Sequence, residues 1–153
     1  MATPRKDRPY AQFNFTVSIP ELDGWNPEDP AGGFQEVSGL GIELTLTEYR
    51  TGNEPRNAAL KVATLAKASD VTFKRGIMAT TLLYGWLDEI RRGAQARKTV
   101  VVTLRDETGE NDVLSWTLEN ALIMKTTFGP LSATGTEILM EELVLGCEWL
   151  TMR

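Results

Sequence analysis

The stretch Gly32–Gly52, GGFQEVSGLGIELTLTEYRTG, decides the fold. From Ile42 it alternates without a break: Ile42, Leu44 and Leu46 fall on one side, Glu43, Thr45 and Thr47 on the other. Strand side chains alternate with a period of two, so this is one long strand, expected to bury its aliphatic face in a core. The opposite face, threonine and glutamate running on to Tyr49, looks out either on a water-filled channel or on bulk solvent. Periodicity leaves both open. Just upstream, FQEVSGL reads as a short strand, and Gly39 and Gly41 bracket Leu40 at a bend or bulge.

Working outward, Phe13, Phe15, Val17 and Ile19 alternate with Asn14, Thr16 and Ser18 in a second amphipathic strand. A loop rich in proline and glycine, 20–33, follows it, with Trp25 expected to anchor it to the core. Downstream, the segment Asn53–Asp70 has weak periodicity and exceeds an ordinary hairpin turn. Its alanines, with Leu60, Val62 and Leu65, are too apolar for a solvated linker. It reads as an arm that packs against something, extended around ALKVATL.

DVTFKRG resumes a strand through Val71 and Phe73. Leu83, Trp86, Leu87 and Ile90 then repeat at helical spacing, with Thr80 or Thr81 to cap the start and Gly93 after Arg91 and Arg92 at the end. Gly85 inside this helix suggests close packing at that point. The remainder is strands. TVVVTLRD and DVLSWTLENA flank the polar turn DETGEND as a hairpin, ALIMKTT follows, and EILMEELVLGCEWL sets Leu139, Glu141, Leu143, Leu145, Cys147 and Trp149 on one side. The pattern predicts a mostly β protein: a β-sandwich or partly open β-barrel with one flanking helix.

The totals exclude several functions. A chain of 153 residues with 42% hydrophobic and 24% charged residues is long enough for one domain with its own core. A net charge of −5 argues against nonspecific binding to nucleic acid or to an anionic membrane. No apolar run reaches membrane-spanning length, and the basic opening MATPRKDRPY lacks the apolar segment of a secretory signal, so synthesis is expected in the cytoplasm. Histidine is absent, which removes histidine-assisted nucleophiles and histidine-containing zinc sites. The lone Cys147 reads as a small buried hydrophobe.

Little chemistry survives. Asp106, Glu107, Glu110 and Asp112 lack the alternating ligand pattern of a calcium loop and read as solvated turn residues. Glu141 and Glu142 face opposite ways on a strand, so they form no acid/base pair. RRGAQARKT lacks the spaced second glycine of a phosphate loop. No catalytic, cofactor or metal residue is assigned, and the expected role is not enzymatic. What the chain has in excess is strand edge. Edges demand covering, charging or pairing, and identical copies pairing around a rotation axis would close them into a ring. The rival class is a monomeric β-barrel with a small ligand in a concave apolar mouth.

GGFQEVSGL, TEYRTG, SDVTFKRGI, a helix containing LLYGWL, WTLENALIMK and ATGTEILMEELVLGCEWL occur in one order from Phe13 to Trp149. In this the chain resembles the inner tube protein of contractile injection systems, a group shared with the tail tube proteins of contractile-tailed phages. These are relatives in fold of the secreted tube protein of type VI secretion. By position, Phe34, Glu36, Gly39 and Leu40 match the first motif, and Tyr49, Arg50 and Gly52 the entry to the arm. Lys74, Arg75 and Gly76 match the third motif, and Trp116, Asn120, Ala121 and Lys125 the fourth. The chain departs from the family at Met124, where proline is frequent, and at Cys147, where histidine is. It also lacks a glycine near Thr64 and has a longer loop at 20–33. Such departures would suit a specialised ring, such as the first layer at a baseplate.

The resemblance implies homo-hexameric rings stacked into a tube, with sheath and baseplate proteins as partners and protein cargo as an option for the lumen. Sheath contraction would drive the tube through a target envelope. It implies a flexible segment at 1–12, a single domain at 13–150, and an extended arm at 53–70 that reaches neighbouring subunits or the adjacent ring. Tyr49, Arg50, Gly52, Leu60, Val62, Lys74 and Arg75 are then the expected subunit or ring contacts. Glu43, Thr45 and Thr47 are the expected lumen face.

Overall fold

A computed structural model describes residues 7–153. Its strands are β1 (Phe15–Ser18), β2 (Glu36–Ser38), β3 (Ile42–Tyr49), β4 (Leu60–Ala68), β5 (Val71–Gly76), β6 (Lys98–Arg105), β7 (Asp112–Phe128), β8 (Met140–Gly146) and β9 (Trp149–Met152). The helix α1 spans Leu82–Arg91. The neighbour order is β1-β6-β7-β8-β5-β2, with β9 also on β7, while β3 and β4 form a sheet of their own. The fold is mostly β, with one helix and with sheets that do not close.

One strand serves both layers. The first part of β7 pairs with β6 and β9, and its second part, from Leu122 on, pairs with β8. Between them Asn120 has φ 53°, the left-handed region that asparagine tolerates better than most residues. Its side chain donates to the Glu148 carboxylate at 2.9 Å, and Glu148 N–H donates to Glu119 O at 3.0 Å. Strand β7 and the β8–β9 link therefore turn the same corner together. That corner also flips side-chain parity: Leu143 and Leu145 are buried, but Trp149, expected beside them, points outward while Leu150 is buried.

The core lies between the layers: Val17, Ile19, Val71, Phe73, Val100, Val102, Leu118, Ala121, Ile123, Leu143, Leu145 and Leu150, closed on one side by Leu83 and Trp86 of α1. Trp86 Nε1–H donates to Ala96 O, which satisfies the only polar atom it buries. Leu87 and Ile90 pack partly buried against this core. Thr81 occupies the N-cap without a side-chain capping bond, and Gly93 follows the helix with φ 97°. Gly85 faces open space, so no close packing explains it. Phe13, expected inside the first strand, lies before it and is exposed.

The largest departure from expectation is the hairpin. Leu60–Ala68 pairs along its length with Ile42–Tyr49, so most of the irregular arm is a regular strand. Its periodicity is broken at a bulge, where the register shifts between Thr45 and Leu46 and leaves Thr64 unpaired. The aliphatic face of β3 is not buried: all eight residues of the strand are exposed in the protomer.

Candidate functional site

The hairpin presents a broad exposed apolar surface. Ile42, Leu44, Leu46, Tyr49, Leu60, Val62 and Leu65 are each between 51% and 69% exposed. Only its base meets the rest of the protein, where Ile42, Ala66, Lys67 and Ala68 approach Trp149 and Leu150. At strand rise the eight residues of β3 span about 25 Å from the base to the tip of the hairpin. Both its edges and both its faces are uncovered.

Residues directly opposed in an antiparallel pair share a face. One face therefore carries Ile42 with Ala68, Leu44 with Ala66, Leu46 with Ala63, and then Glu48 with Lys61. The other carries Glu43 with Lys67, Thr45 with Leu65, Thr47 with Val62, and then Tyr49 with Leu60. The two faces grade in opposite senses: the first is apolar at the base and charged at the tip, the second charged at the base and apolar at the tip. The Glu43, Thr45 and Thr47 face is thus polar only over its lower part. There Thr64 Oγ1–H donates to Thr45 O at 3.2 Å, and its oxygen lies 3.4 Å from Thr47 Oγ1.

Of the expected contact residues, Tyr49, Leu60 and Val62 gather on the upper part of that face. Arg50 and Gly52 lie in the loop beyond, where Arg50 donates to Glu54 O at 3.4 Å. Lys74 sits elsewhere, on β5, half-exposed and ion-paired with Glu36 of β2 at 3.5 Å. Arg75 is corrected outright. It is 3% exposed and lies inside the protomer, where Nε meets Glu141 at 2.9 Å and Nη1 donates to Ala31 O at 2.6 Å. Its guanidinium also stacks on Trp25 and Phe34, 5.8 and 5.6 Å from the ring centroids. Arg75 holds the 20–33 loop to the sheet, and Trp25, as expected, is anchored there by a bond to Val17 O. A signal for this pair was present: both charges fall on the apolar faces of their strands.

A second concavity lies between the free edges of β1 and β2. This groove, about 1150 Å³, is lined by Phe13, Phe15, Val37, Leu40, Leu104 and Trp116, with Glu36 and Glu142 at its polar side. Tyr10, Ala11 and Gln12 reach it, while residues 1–6 of the expected flexible segment lie outside the described residues. Among the described residues no group of three histidine, cysteine or carboxylate side chains is placed to hold a metal. Asp106 is committed to its own turn, accepting from Thr108 Oγ1 at 2.7 Å and Asn111 Nδ2 at 2.9 Å. Cys147 is half-buried, and burial together with the Asp70 charge pushes its thiol pKa up. Among the described residues no helix is long and apolar enough to cross a membrane.

The sequence from residue 11 to 151 matches the family described as T4-like virus tail tube protein gp19. The chain belongs to this tail tube family. No curated protein sequence matches it. Among solved structures, a chain of the anti-feeding prophage (AFP) baseplate, 6-fold symmetrised, is 27% identical over 100% of this chain and 97% of its own, with a TM-score of 0.77. A chain of the PVC sheath–tube complex of an extracellular contractile injection system, in its extended state, is 23% identical, covering 96% and 93%, with a TM-score of 0.79. Hcp1 from Flavobacterium johnsoniae shares the fold more distantly, at 13% identity over 92% and 94%, with a TM-score of 0.52. Tail tube membership gives the protein a structural, tube-forming role.

Proposed function

We propose that the chain forms homo-hexameric rings that stack into a hollow inner tube within a sheath, and that it does no chemistry. The observation that carries this is the two-stranded β3–β4 sheet. It bares both edges and large aliphatic side chains on both faces, a state that an isolated soluble protomer leaves unsatisfied. Pairing its edges with the corresponding strands of neighbours on either side gives a continuous barrel around a central axis. Each large side chain so covered contributes about 1.5–3 kcal/mol.

In that ring the apolar Ile42, Leu44 and Leu46 face packs outward on the protomer cores. The polar lower part of the other face, Glu43, Thr45, Thr47 and Lys67, lines the lumen. Tyr49 and Leu60, beyond the Thr47–Val62 rung at the tip of that face, then belong to subunit contacts and not to the channel wall. Residues 13–150 act as one domain, with 53–70 supplying the reach between copies. Contraction of a surrounding sheath pushes the assembled tube as a rigid rod, and the polar wall leaves a wet passage for protein cargo. Baseplate proteins seat its first ring. Assembly in the cytoplasm followed by incorporation in a tail-like particle fits this role.

The groove between β1 and β2 is the feature a small-ligand module would need. Tail tube membership over nearly the whole chain and the uncovered hairpin favour assembly instead. Native mass spectrometry and negative-stain imaging across a concentration series test the proposal. A six-fold ring is expected, and a protein that stays monomeric even beside its baseplate partners overturns it.

A further inference from the structure

The layer formed by β2, β5, β8 and the second part of β7 buries one face and shows the other. Phe73, Leu143 and Ile123 point inward, so the alternate positions point out. Two rows of directly opposed residues cross this outward face: Glu36, Lys74, Glu142 and Thr127 in one, Ser38, Thr72, Val144 and Lys125 in the next. Lys74 stands between two carboxylates, 3.5 Å from that of Glu36, and Lys125 lies diagonal to Glu142. At the hairpin base Ala68 is buried, so the Glu43–Lys67 rung faces the same outward way. Asp70 joins them, its Oδ1 3.6 Å from where a side chain on the outward Gly146 would begin. The face thus interleaves three lysines with four carboxylates and holds only one of the chain's five excess negative charges.

We propose that this face continues the channel wall begun by Glu43, Thr45 and Thr47, and that the wall admits polypeptide cargo of either charge sign while giving nucleic acid no hold. The inference rests on the hollow-tube reading and names what the channel accepts. The physical reason is distance. Neighbouring strands stand about 4.8 Å apart, inside the Debye length of about 8 Å at physiological salt, so opposite charges on them cancel before salt screens either. A wall of one sign instead focuses its field into the cavity and enriches counter-charged solutes by about tenfold or more. Nucleic acid binds through runs of cations that release its counterions. Here each lysine has a carboxylate opposite or diagonal to it. Polypeptide, mixed in sign along its length, is the polymer that such a wall neither holds nor repels.

The experiment incubates isolated tubes of the full chain with fluorescent oligo-lysine, oligo-glutamate and a single-stranded oligonucleotide, and reads the dye that sediments with them. The two peptides should be taken up within about threefold of each other, below the tenfold that a single-sign wall produces, and the oligonucleotide no better than oligo-glutamate. Lys74→Glu with Lys125→Glu should raise oligo-lysine uptake by about tenfold and lower oligo-glutamate uptake. A second measurement needs no variant: parent tubes are acylated with a small amine-reactive ester and with the same ester on a dextran too large for the channel. Lys67, Lys74 and Lys125 should react with the small reagent alone in tubes and with both in protomers. A larger bias between the peptides, preferred uptake of the oligonucleotide, variant tubes that behave as the parent, or dextran labelling of these lysines in tubes overturns the proposal and leaves the tube standing. A parent protein that makes no rings overturns the tube, and this wall with it.

Discussion

Arg75 Nε and the Glu141 carboxylate meet at 2.9 Å inside the protomer, joining β5 to β8 as directly opposed residues of one sheet. A buried ion pair is weak evidence of net stability, yet removing one partner strands the other in low dielectric. Arg75→Ala also releases Ala31 O and uncovers Trp25 and Phe34. We expect it to destabilise the protomer by about 3–5 kcal/mol, read as a shift in the urea midpoint. Arg75→Met combined with Glu141→Leu should cost much less than that single change.

The hairpin predicts the opposite separation of stability from assembly. Leu44→Asp and Val62→Asp alter side chains that the isolated protomer leaves in solvent. Each should leave the protomer's unfolding free energy within about 0.5 kcal/mol of the parent, as exposed changes do. Each should nevertheless remove the ring-sized species in native mass spectrometry. Loss of protomer stability in step with the rings would show that the hairpin folds back on its own chain.

Two glycines should respond with opposite signs. Gly85 lies within α1 with open space where a Cβ would stand, so Gly85→Ala should stabilise by about 0.5–1 kcal/mol. Gly39 has φ 88°, and a side-chain carbon there would collide with the Asp70 carbonyl oxygen. Gly39→Ala should destabilise by about 1–3 kcal/mol and loosen the hairpin's root. Thermal melts of the two variants, run beside the parent, decide both.

The Asp106 carboxylate is held at a pKa of about 2, from an ordinary 3.8, by hydrogen bonds from Thr108 first and then Asn111. A depressed folded-state value stabilises the protein above the ordinary carboxylate range. That contribution fades as pH falls from about 3.8 through about 2. A carbon-detected NMR titration should place its midpoint near the lower value, and Thr108→Ala should raise it. A midpoint unchanged by Thr108→Ala would show that the hydroxyl does not set it.

Much of this architecture is written locally. The alternations of β3, β5, β6 and β8 and the spacing of Leu83, Trp86, Leu87 and Ile90 are local patterns, and they match the elements observed. What covers a face is not local. The Ile42, Leu44 and Leu46 stripe states that one side will be buried, and it is silent on whether the partner is the same chain. Strand β4 was obscured for a different reason: the bulge at Thr64 shifts parity midway, so neither half alone is long enough to read. The corner at Asn120 leaves only an asparagine within an otherwise continuous strand pattern. The Arg75–Glu141 pair needed the register of β5 on β8, which no single segment contains.

The continuous course of Asp112–Phe128 through both layers has a mechanical consequence. A push delivered to the half that holds β6 and β9 reaches the half that holds β5 and β8 along peptide bonds, without waiting for side-chain friction to transmit it. Shearing the layers apart would mean straightening the bend at Asn120 and pulling Glu148 from its two anchors at once. A structural part is stiffest where its load path is covalent.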